Sequence, residues 1–309
     1  MMDMDPGKIW KYLEWLAAVP RFAESDRLEE CRQYCEIELT AAGWTVERQP
    51  FEASDSMLNT LNGINLVARR KKTADKSQKA TQKPVFILGA HLDSCEDTPG
   101  ADDNASAVAV LLETARIIDQ RLTAKDWDST VVDLELVVFD LEEHGMLGAA
   151  FHAASCRQNQ RLVSGMVSLE MLGYCSHEPG SQRFPQQLEG LYSDVGNFIG
   201  VVGNQNSTAL INHFAAAFKS VADLPSQLLQ VPNSGHTLPA TRLSDHSPYW
   251  DEGFAALMIT DTSFLRNPHY HQPTDTPETL DRVFLHKVSQ GVLTATEGIV
   301  RRGLEPCLK

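Results

Sequence analysis

The chain alternates between stretches in which apolar residues recur with helical spacing and short runs that are apolar almost throughout. Between Ile9 and Ala42, apolar residues return every three or four positions, which predicts two helices that Pro20 separates. Residues 131–139 form a nearly continuous apolar run, as is typical of a central parallel strand buried on both faces. Further strands are predicted at 44–51, 65–68, 84–89, 164–169 and 255–260.

Helical patterns follow several of these runs, at 105–120, 148–154, 210–221 and 280–301. Strands that alternate with helices predict an α/β fold with a mostly parallel sheet covered on both faces. No internal repeat or linker divides the chain, so we expect a single domain over residues 1–309. The segment 176–207 is rich in Gly, Pro, Ser and Asn. It is predicted to be an inserted loop system near the functional site.

Composition narrows the classes of function. The net charge is -14, and such a surface repels phosphate backbones, so no nucleic-acid partner is expected. No apolar stretch is long enough to span a bilayer, so no membrane association is expected. The charged run 69–83 predicts a solvated loop. No signal peptide is visible and the six cysteines form no Cys-x-x-Cys pair. We therefore expect a cytoplasmic protein with reduced thiols, unless a leader had been removed.

Chemically active residues follow the predicted strands. His91 and Asp93 come directly after the strand at 84–89. A histidine in this position can bind a metal through one ring nitrogen while the carboxylate orients the ring from behind. Asp103 opens the next helix, where capping the helix N-terminus is the simpler interpretation of either Asp102 or Asp103 taken alone.

Acidic residues also end the next two strands. Glu142 and Glu143 follow the buried run 131–139, and Glu170 follows the run 164–169. One glutamate of the pair would ligate a metal and its neighbour would accept a proton from the attacking water. His271 lies in a Pro-containing loop, with His269 as its competitor for a ligand role.

Five side chains of this set offer nitrogen and oxygen donors that suit zinc: His91, Asp103, Glu143, Glu170 and His271. One tetrahedral zinc ion needs fewer ligands. Two ions bridged by a carboxylate would use all five.

With these motifs in order, the chain resembles the two-zinc aminopeptidases of metallopeptidase family twenty-eight, whose relatives include glutamate carboxypeptidases and glutaminyl cyclases. The resemblance runs from about Val85 to Leu280. It implies a three-layer α/β/α sandwich around a mixed sheet. It also implies two zinc ions per chain, and it favours His271 over His269 as the ligand.

The resemblance assigns a role to each site residue. His91 and Glu170 would bind one zinc ion, Glu143 and His271 would bind the other, and Asp103 would bridge them. Three catalytic roles follow: Glu142 as general base, Asp93 as the acid behind His91, and Tyr270 as the group that polarises the scissile carbonyl. Many members have Asp where this chain has Glu170. The segment 244–248 is expected to shape the pocket without binding metal.

The leading hypothesis is a zinc-dependent exopeptidase that removes the N-terminal residue of a peptide or aminoacyl substrate. A carboxypeptidase or other amide hydrolase is the first alternative. It would need a cation for the substrate carboxylate, and Arg183, Arg242 and Arg266 are the candidates. A one-zinc glutaminyl cyclase is disfavoured by the full ligand set and by the Glu142–Glu143 pair. A non-enzymatic scaffold domain would be expected to have lost some of these residues.

Overall fold

A computed structural model describes residues 3–70, 83–122 and 124–304. The predicted solvated loop at 69–83 falls largely outside these residues. Eight strands are described: β1 (Trp44–Ser54), β2 (Thr60–Arg70), β3 (Val85–His91), β4 (Asp133–Phe139), β5 (Val163–Glu170), β6 (Ile199–Asn204), β7 (Ser226–Val231) and β8 (Ala256–Thr260). The α-helices described are α1 (Pro6–Leu16), α2 (Asp26–Ala41), α3 (Ala107–Arg121), α4 (Ala124–Ser129), α5 (Leu147–Gln158), α6 (Thr208–Lys219), α7 (His246–Asp251) and α8 (Arg282–Arg302).

The strands form one eight-stranded sheet in the order β1-β2-β4-β3-β5-β8-β6-β7. Pairings β3–β4, β3–β5, β5–β8 and β6–β7 are parallel, and β1–β2, β2–β4 and β6–β8 are antiparallel. The prediction of a mixed, mostly parallel sheet is therefore confirmed.

Helices cover both faces of the sheet. Side chains alternate along each strand, so Leu136 belongs to one apolar cluster and Val137 to the other. The first cluster contains residues of α1, α2, α3, α6 and α8, and the second contains residues of α5 and α7. This arrangement confirms the three-layer α/β/α sandwich. That residues 1–309 form a single domain stays a prediction.

Local sequence explains where the principal helices begin. The side chain of Asp5 accepts hydrogen bonds from the backbone N–H groups of the first turn of α1, and Ser25 and Asp281 do the same for α2 and α8. Such caps satisfy N–H groups that have no partner within the helix. Pro20 lies between α1 and α2, as predicted. Among the described residues, no helix is both long enough and apolar enough to cross a membrane.

Two parts of the sheet were missed from sequence. The predicted loop system at 176–207 is wrong at its end, because Ile199–Asn204 form the buried strand β6. That run is short and interrupted by two glycines, which weakens a strand pattern. The other missed strand, β7, lies at the edge of the sheet and is only partly buried, so it lacks a continuous apolar run.

Candidate active site

The predicted site residues meet at one edge of the sheet. His91 is the last residue of β3, Glu170 is the last residue of β5, and Glu142 follows the end of β4 by three residues. These three strands are neighbours in the order β4-β3-β5 and run parallel. Their carboxyl ends therefore deliver the side chains to the same place, where open α/β sheets bind their ligands.

A first group of donors consists of His91, Asp103 and Glu170, all buried. The Nε2 atom of His91 lies 3.2 Å from Oδ1 of Asp103 and 3.5 Å from Oε2 of Glu170. The hydroxyl of Ser244 donates to the same oxygen of Glu170 at 2.7 Å. Ser244 thus holds the side chain of Glu170 in place.

A second group consists of Cys95, Glu143 and His271. Oε2 of Glu143 lies 3.0 Å from Nε2 of His271 and accepts a hydrogen bond from the thiol of Cys95 at 3.2 Å. Sequence reasoning missed Cys95, although it lies only two residues after Asp93. The rival histidine is not part of this group: Nδ1 of His269 lies 2.9 Å from the hydroxyl of Thr274.

Asp103 lies between the two groups. Its Oδ1 faces His91 and its Oδ2 lies 3.2 Å from Nε2 of His271. Burial acts to raise the pKa of Asp103, but the close contacts with His271 and His91 outweigh it and lower that pKa below its usual range. An ionised carboxylate with one oxygen toward each group has the geometry expected of a bridging ligand.

Glu142 is held close to these donors without belonging to either group. Its Oε2 lies 3.9 Å from Nε2 of His91. Burial raises the pKa of Glu142 well above its usual value; the positive charge of His91 opposes this, and the negative charges of Glu170, Asp245 and Glu143 add to it. Asp245 is itself fully buried, and neither of its carboxylate oxygens has a hydrogen-bond partner among the described residues.

Asp93 orients both glutamates as well as His91. Its two carboxylate oxygens accept the backbone N–H groups of Glu142 at 3.0 Å and of Glu143 at 3.1 Å. Nδ1 of His91 lies 3.7 Å from the same carboxylate and 3.1 Å from the backbone carbonyl of Asp93. The predicted acid behind His91 therefore also fixes the backbone that carries the glutamate pair.

Asp275 performs a similar task for Asp103. Its carboxylate accepts the backbone N–H of Asp102 at 2.9 Å and that of Asp103 at 3.1 Å. Asp102 in turn accepts the backbone N–H of Gly173 and the side-chain amide of Asn267. The contact of Asp275 spans about 170 residues of chain and therefore had no local signal in the sequence.

Arg21 binds the backbone of the loops that carry Asp93 and Asp103. This fully buried guanidinium, in the link between α1 and α2, donates to the carbonyls of Leu92 at 2.6 Å, Pro99 at 2.5 Å and Gly100 at 2.8 Å. Gly100 has φ +63°, and a Cβ there would lie 2.2 Å from the carbonyl oxygen of Asp103. Only glycine fits this turn.

Three of the residues at or beside the site have a left-handed backbone conformation. Leu141, Met171 and His271 all have positive φ, at 57°, 48° and 55°. Each is a site residue or lies next to one. Residues other than glycine adopt this conformation at a cost, and such positions are common where the chain must aim a side chain into a site.

A largely apolar pocket opens beside the donors, with about 900 Å³ of empty space, part of which is open to solvent. Its polar end includes Asp103, Glu142 and Glu170, and Tyr270 lies on its wall with its ring stacked on His271 at 3.7 Å. The loop before β6 contributes aromatic and aliphatic groups, and strands β6–β8 contribute others: Phe184, Leu188, Tyr192, Phe198, Val202, Leu229 and Met258. Among the described residues that line it, there is no Lys or Arg.

The three arginines considered for a carboxylate-binding role lie elsewhere. Arg183 is exposed and donates to the carbonyl of Phe264. Arg242 forms an ion pair with Asp251 at 2.7 Å. Arg266 is buried, donates to Gln182 at 2.8 Å and lies over the ring of Phe198.

The donor atoms themselves fit metal ions. Nε2 of His91, Nε2 of His271 and Oε1 of Glu143 are buried and have no hydrogen-bond partner among the described residues. A buried polar atom without a partner costs about 1–3 kcal/mol, so coordination would satisfy these atoms. Nitrogen, oxygen and sulfur donors together suit zinc. The residues present therefore fit the ions that the sequence predicts.

Comparison with known proteins identifies relatives. Residues 65–296 match the family model described as Peptidase family M28. The uncharacterised protein YfbL of Escherichia coli (strain K12) is 39% identical over 68% of this chain and 66% of its own length. A probable leucine aminopeptidase 1 of Trichophyton verrucosum is 26% identical over 75% of this chain and 59% of its own length. The chain thus spans less than two thirds of these relatives.

Solved structures share the fold. An aminopeptidase from Aneurinibacillus sp. strain AM-1 superposes with a TM-score of 0.72 at 19% identity, over 98% of this chain and 96% of that one. A zinc aminopeptidase from Bacillus subtilis gives 0.74 at 13% identity, over 99% and 98%. A glutaminyl cyclase from Porphyromonas gingivalis gives 0.68 at 17% identity, over 94% and 97%. At these identities the likeness shows the fold alone.

Proposed function

The chain belongs to peptidase family M28, and on that premise we propose that it is a zinc-dependent aminopeptidase that prefers substrates with a large apolar first residue. The observation that carries this proposal is the pocket, which combines carboxylates at one end with an apolar wall over the rest. The acidic end suits a protonated α-amine and the wall suits an aliphatic or aromatic side chain.

Charge separates this proposal from the carboxypeptidase alternative. Asp103, Glu142 and Glu170 would repel a substrate carboxylate at the polar end of the pocket. A carboxypeptidase would need a cation there, and the described lining residues include none. Arg183, Arg242 and Arg266 all bind other groups. The aminopeptidase is therefore the better match.

Two zinc positions are proposed from the two donor groups. His91 and Glu170 would hold one ion, Glu143 and His271 the other, and Asp103 would bridge them. A zinc pair, when bound, supplies Lewis-acid polarisation of the scissile carbonyl and makes the attacking water more acidic. The remaining work falls to side chains of the chain itself.

Glu142 is proposed as the general base. It lies beside the first group and on the wall of the pocket, so it can reach both the attacking water and the leaving amine. It accepts the proton of the water and then returns it to the amine nitrogen as the C–N bond breaks. Burial raises its pKa, the direction that suits a carboxylate that must take a proton and give it back.

Asp93 and Tyr270 are given supporting roles. Asp93 fixes the backbone of Glu142, so it sets the direction of the base. Tyr270 lies on the pocket wall next to His271, and its hydroxyl is proposed to donate a hydrogen bond to the carbonyl oxygen as negative charge develops there. Burial raises the pKa of Tyr270, with Asp103 and Glu143 adding to the effect, so the hydroxyl keeps the proton that it needs to donate.

The cyclase and scaffold alternatives fit the site less well. A one-zinc cyclase needs one group of donors, whereas the structure brings together two. A scaffold would have no use for several buried carboxylates at a single edge of the sheet. Localisation in the cytoplasm stays a prediction, and the five cysteines that the structure describes are free thiols, as a reducing compartment would leave them.

The test uses leucyl, phenylalanyl, glutaminyl and aspartyl peptides, each with a free and with an amidated C-terminus, in the presence of zinc. We expect release of the first residue, fastest for leucyl and phenylalanyl peptides, with no dependence on the C-terminal amide. Loss of cleavage on C-terminal amidation would indicate a carboxypeptidase. Conversion of the glutaminyl peptide to its cyclic form, without release of glutamine, would indicate a cyclase.

A further inference from the structure

Cys95 is placed as a donor in the second metal group. Its sulfur lies 3.2 Å from Oε2 of Glu143, and the same oxygen lies 3.0 Å from Nε2 of His271. The three ligand atoms all lie within 4.8 Å of one another. Tetrahedral zinc with bond lengths of about 2.0–2.3 Å separates its donors by about 3.3–3.8 Å, so small shifts would bring these atoms to coordinating positions.

Cys95 differs from the core cysteines of the chain. Cys31, Cys35 and Cys156 are almost completely buried within the two apolar clusters. Cys95 is only partly buried and lies in the loop after β3, where Ser94 anchors the chain by donating its backbone N–H to the carbonyl of Arg21 at 3.2 Å and its hydroxyl to the carbonyl of Thr98 at 2.9 Å. The thiol is thus held at the site and not in the core.

An independent observation indicates that an ion belongs at this position. Oε1 of Glu143 is buried and has no hydrogen-bond partner among the described residues, and the side chain of Glu143 is only 8% exposed. Its other oxygen already contacts both Cys95 and His271. A buried carboxylate oxygen without a partner is costly, and a cation bound by this group would supply one.

We propose that Cys95 supplies a thiolate ligand to the zinc ion held by Glu143 and His271. This inference rests on the zinc centre of the proposed function and adds a ligand to it. When the ion binds, the S–H proton leaves to solvent and the sulfur takes its place in the coordination shell. The two positions are then chemically different, one with nitrogen, oxygen and sulfur donors and the other with nitrogen and oxygen donors alone.

Sulfur coordination has a consequence for metal preference. Thiolate favours soft or borderline ions, so the Cys95 position should prefer Cd²⁺ and Zn²⁺ over Mg²⁺ and Mn²⁺. The position of His91, Asp103 and Glu170 should discriminate less, since its donors suit harder ions as well.

The test is a titration of the full chain with Cd²⁺, followed by ultraviolet absorption from thiolate-to-metal charge transfer. We expect this band for the wild type, its loss in Cys95→Ser, and its retention in the matched control Cys175→Ser, because Cys175 lies outside both donor groups. Zinc affinity at one position should fall about ten-fold or more in Cys95→Ser. A wild type without the band, or a band unchanged in Cys95→Ser, would overturn the proposal.

A second measurement uses the wild-type chain alone, so it does not require that any variant folds. The thiols of the wild-type chain are alkylated with iodoacetamide, with and without zinc, and the modified peptides are quantified by mass spectrometry. We expect zinc to protect Cys95 and to leave Cys175 unchanged. Equal labelling of Cys95 in a chain that binds zinc and cleaves peptides would refute sulfur ligation while leaving the proposed function intact. A chain that binds no zinc would instead refute both.

Discussion

The carboxylate of Asp93 accepts the backbone N–H of Glu142 at 3.0 Å. Its second oxygen accepts the next N–H along the chain, that of Glu143. One buried acid therefore fixes the direction of both the proposed base and the neighbouring proposed ligand. Because the contact is to backbone, it sets where the glutamate side chains begin without occupying their carboxylates.

Replacement of Asp93 by Asn should impair the site more than the fold. The amide group keeps one oxygen that can accept a hydrogen bond. Its other oxygen is replaced by an NH2 group, which cannot accept from a backbone N–H, so one hydrogen bond to the glutamate backbone is lost. A hydrogen bond to a charged group contributes about 1.5–3 kcal/mol. We expect kcat to fall at least about ten-fold with KM little changed, and zinc affinity to weaken. An Asp93→Asn enzyme with wild-type kcat would show that Asp93 does not position the base.

Substitutions of the two glutamates should separate the base from the ligand. Glu142→Gln keeps the size of the side chain and removes its ability to accept a proton, so kcat should fall by about 10²–10⁴ while zinc content stays at the wild-type value. Glu143→Gln is the matched variant and should weaken zinc binding directly. Elemental analysis and peptide kinetics on both proteins measure this. Loss of zinc from Glu142→Gln alone would mean that the two roles are reversed.

Removal of the Arg21 guanidinium should destabilise the chain and loosen the site together. Arg21→Met leaves the carbonyls of Leu92, Pro99 and Gly100 without their donor. At about 1–3 kcal/mol for each buried group left unpaired, the free energy of unfolding should fall by at least about 3 kcal/mol. Urea denaturation measures this, with Arg282→Met as the control, because the side chain of Arg282 is 65% exposed. Equal stability of the two variants would contradict the assigned role.

The buried pair of His152 and Glu135 should make stability depend on pH. Burial acts to lower the pKa of His152, but Cys156 and Glu135 outweigh it and raise that pKa to about 9. A raised histidine pKa stabilises the folded state fully below the unfolded value of about 6.5, and this contribution is lost as pH rises to about 9. The loss is at most about 1.4 kcal/mol per pH unit.

Comparison of the wild type with His152→Gln isolates this effect. The difference in their free energies of unfolding should shrink between pH 6.5 and pH 9, because only the wild type carries the titrating group. Glu135, whose pKa His152 lowers, stays ionised throughout this range, and groups remote from His152 titrate equally in both proteins and cancel. Denaturant unfolding at several pH values gives the difference directly. A difference that stays constant across this range would show that His152 does not titrate as the structure indicates.

The sequence best predicted the site residues that lie at the ends of apolar strands. His91 and Glu170 end buried strands, and Glu142 and Glu143 follow one. These strands are visible as apolar runs, and because they are parallel their carboxyl ends meet at one edge of the sheet. The structure brings all five predicted ligands together in two groups joined by Asp103. The roles assigned to them stay proposals.

The residues that hold the backbone of the site loops in place could not be predicted in the same way. Arg21 contacts carbonyls more than 70 residues away, and Asp275 contacts a backbone about 170 residues away. Neither position has a periodic pattern around it, since a single side chain that binds backbone depends on the fold and not on its neighbours in sequence. Strands β6 and β7 were missed because neither has a continuous apolar run. Glycines interrupt β6, and β7 is only partly buried at the edge of the sheet.

The central claim is that the acidic end of the pocket binds the α-amine of an N-terminal residue. It is tested most directly by kinetics on a leucyl peptide and on the same peptide with its amine acetylated, in the presence of zinc. Acetylation removes the positive charge and leaves the scissile amide unchanged. A lost charged hydrogen bond of about 1.5–3 kcal/mol corresponds to at least about a ten-fold drop in kcat/KM, and we predict a drop of that size or larger. Equal kcat/KM values for the two peptides would contradict the claim.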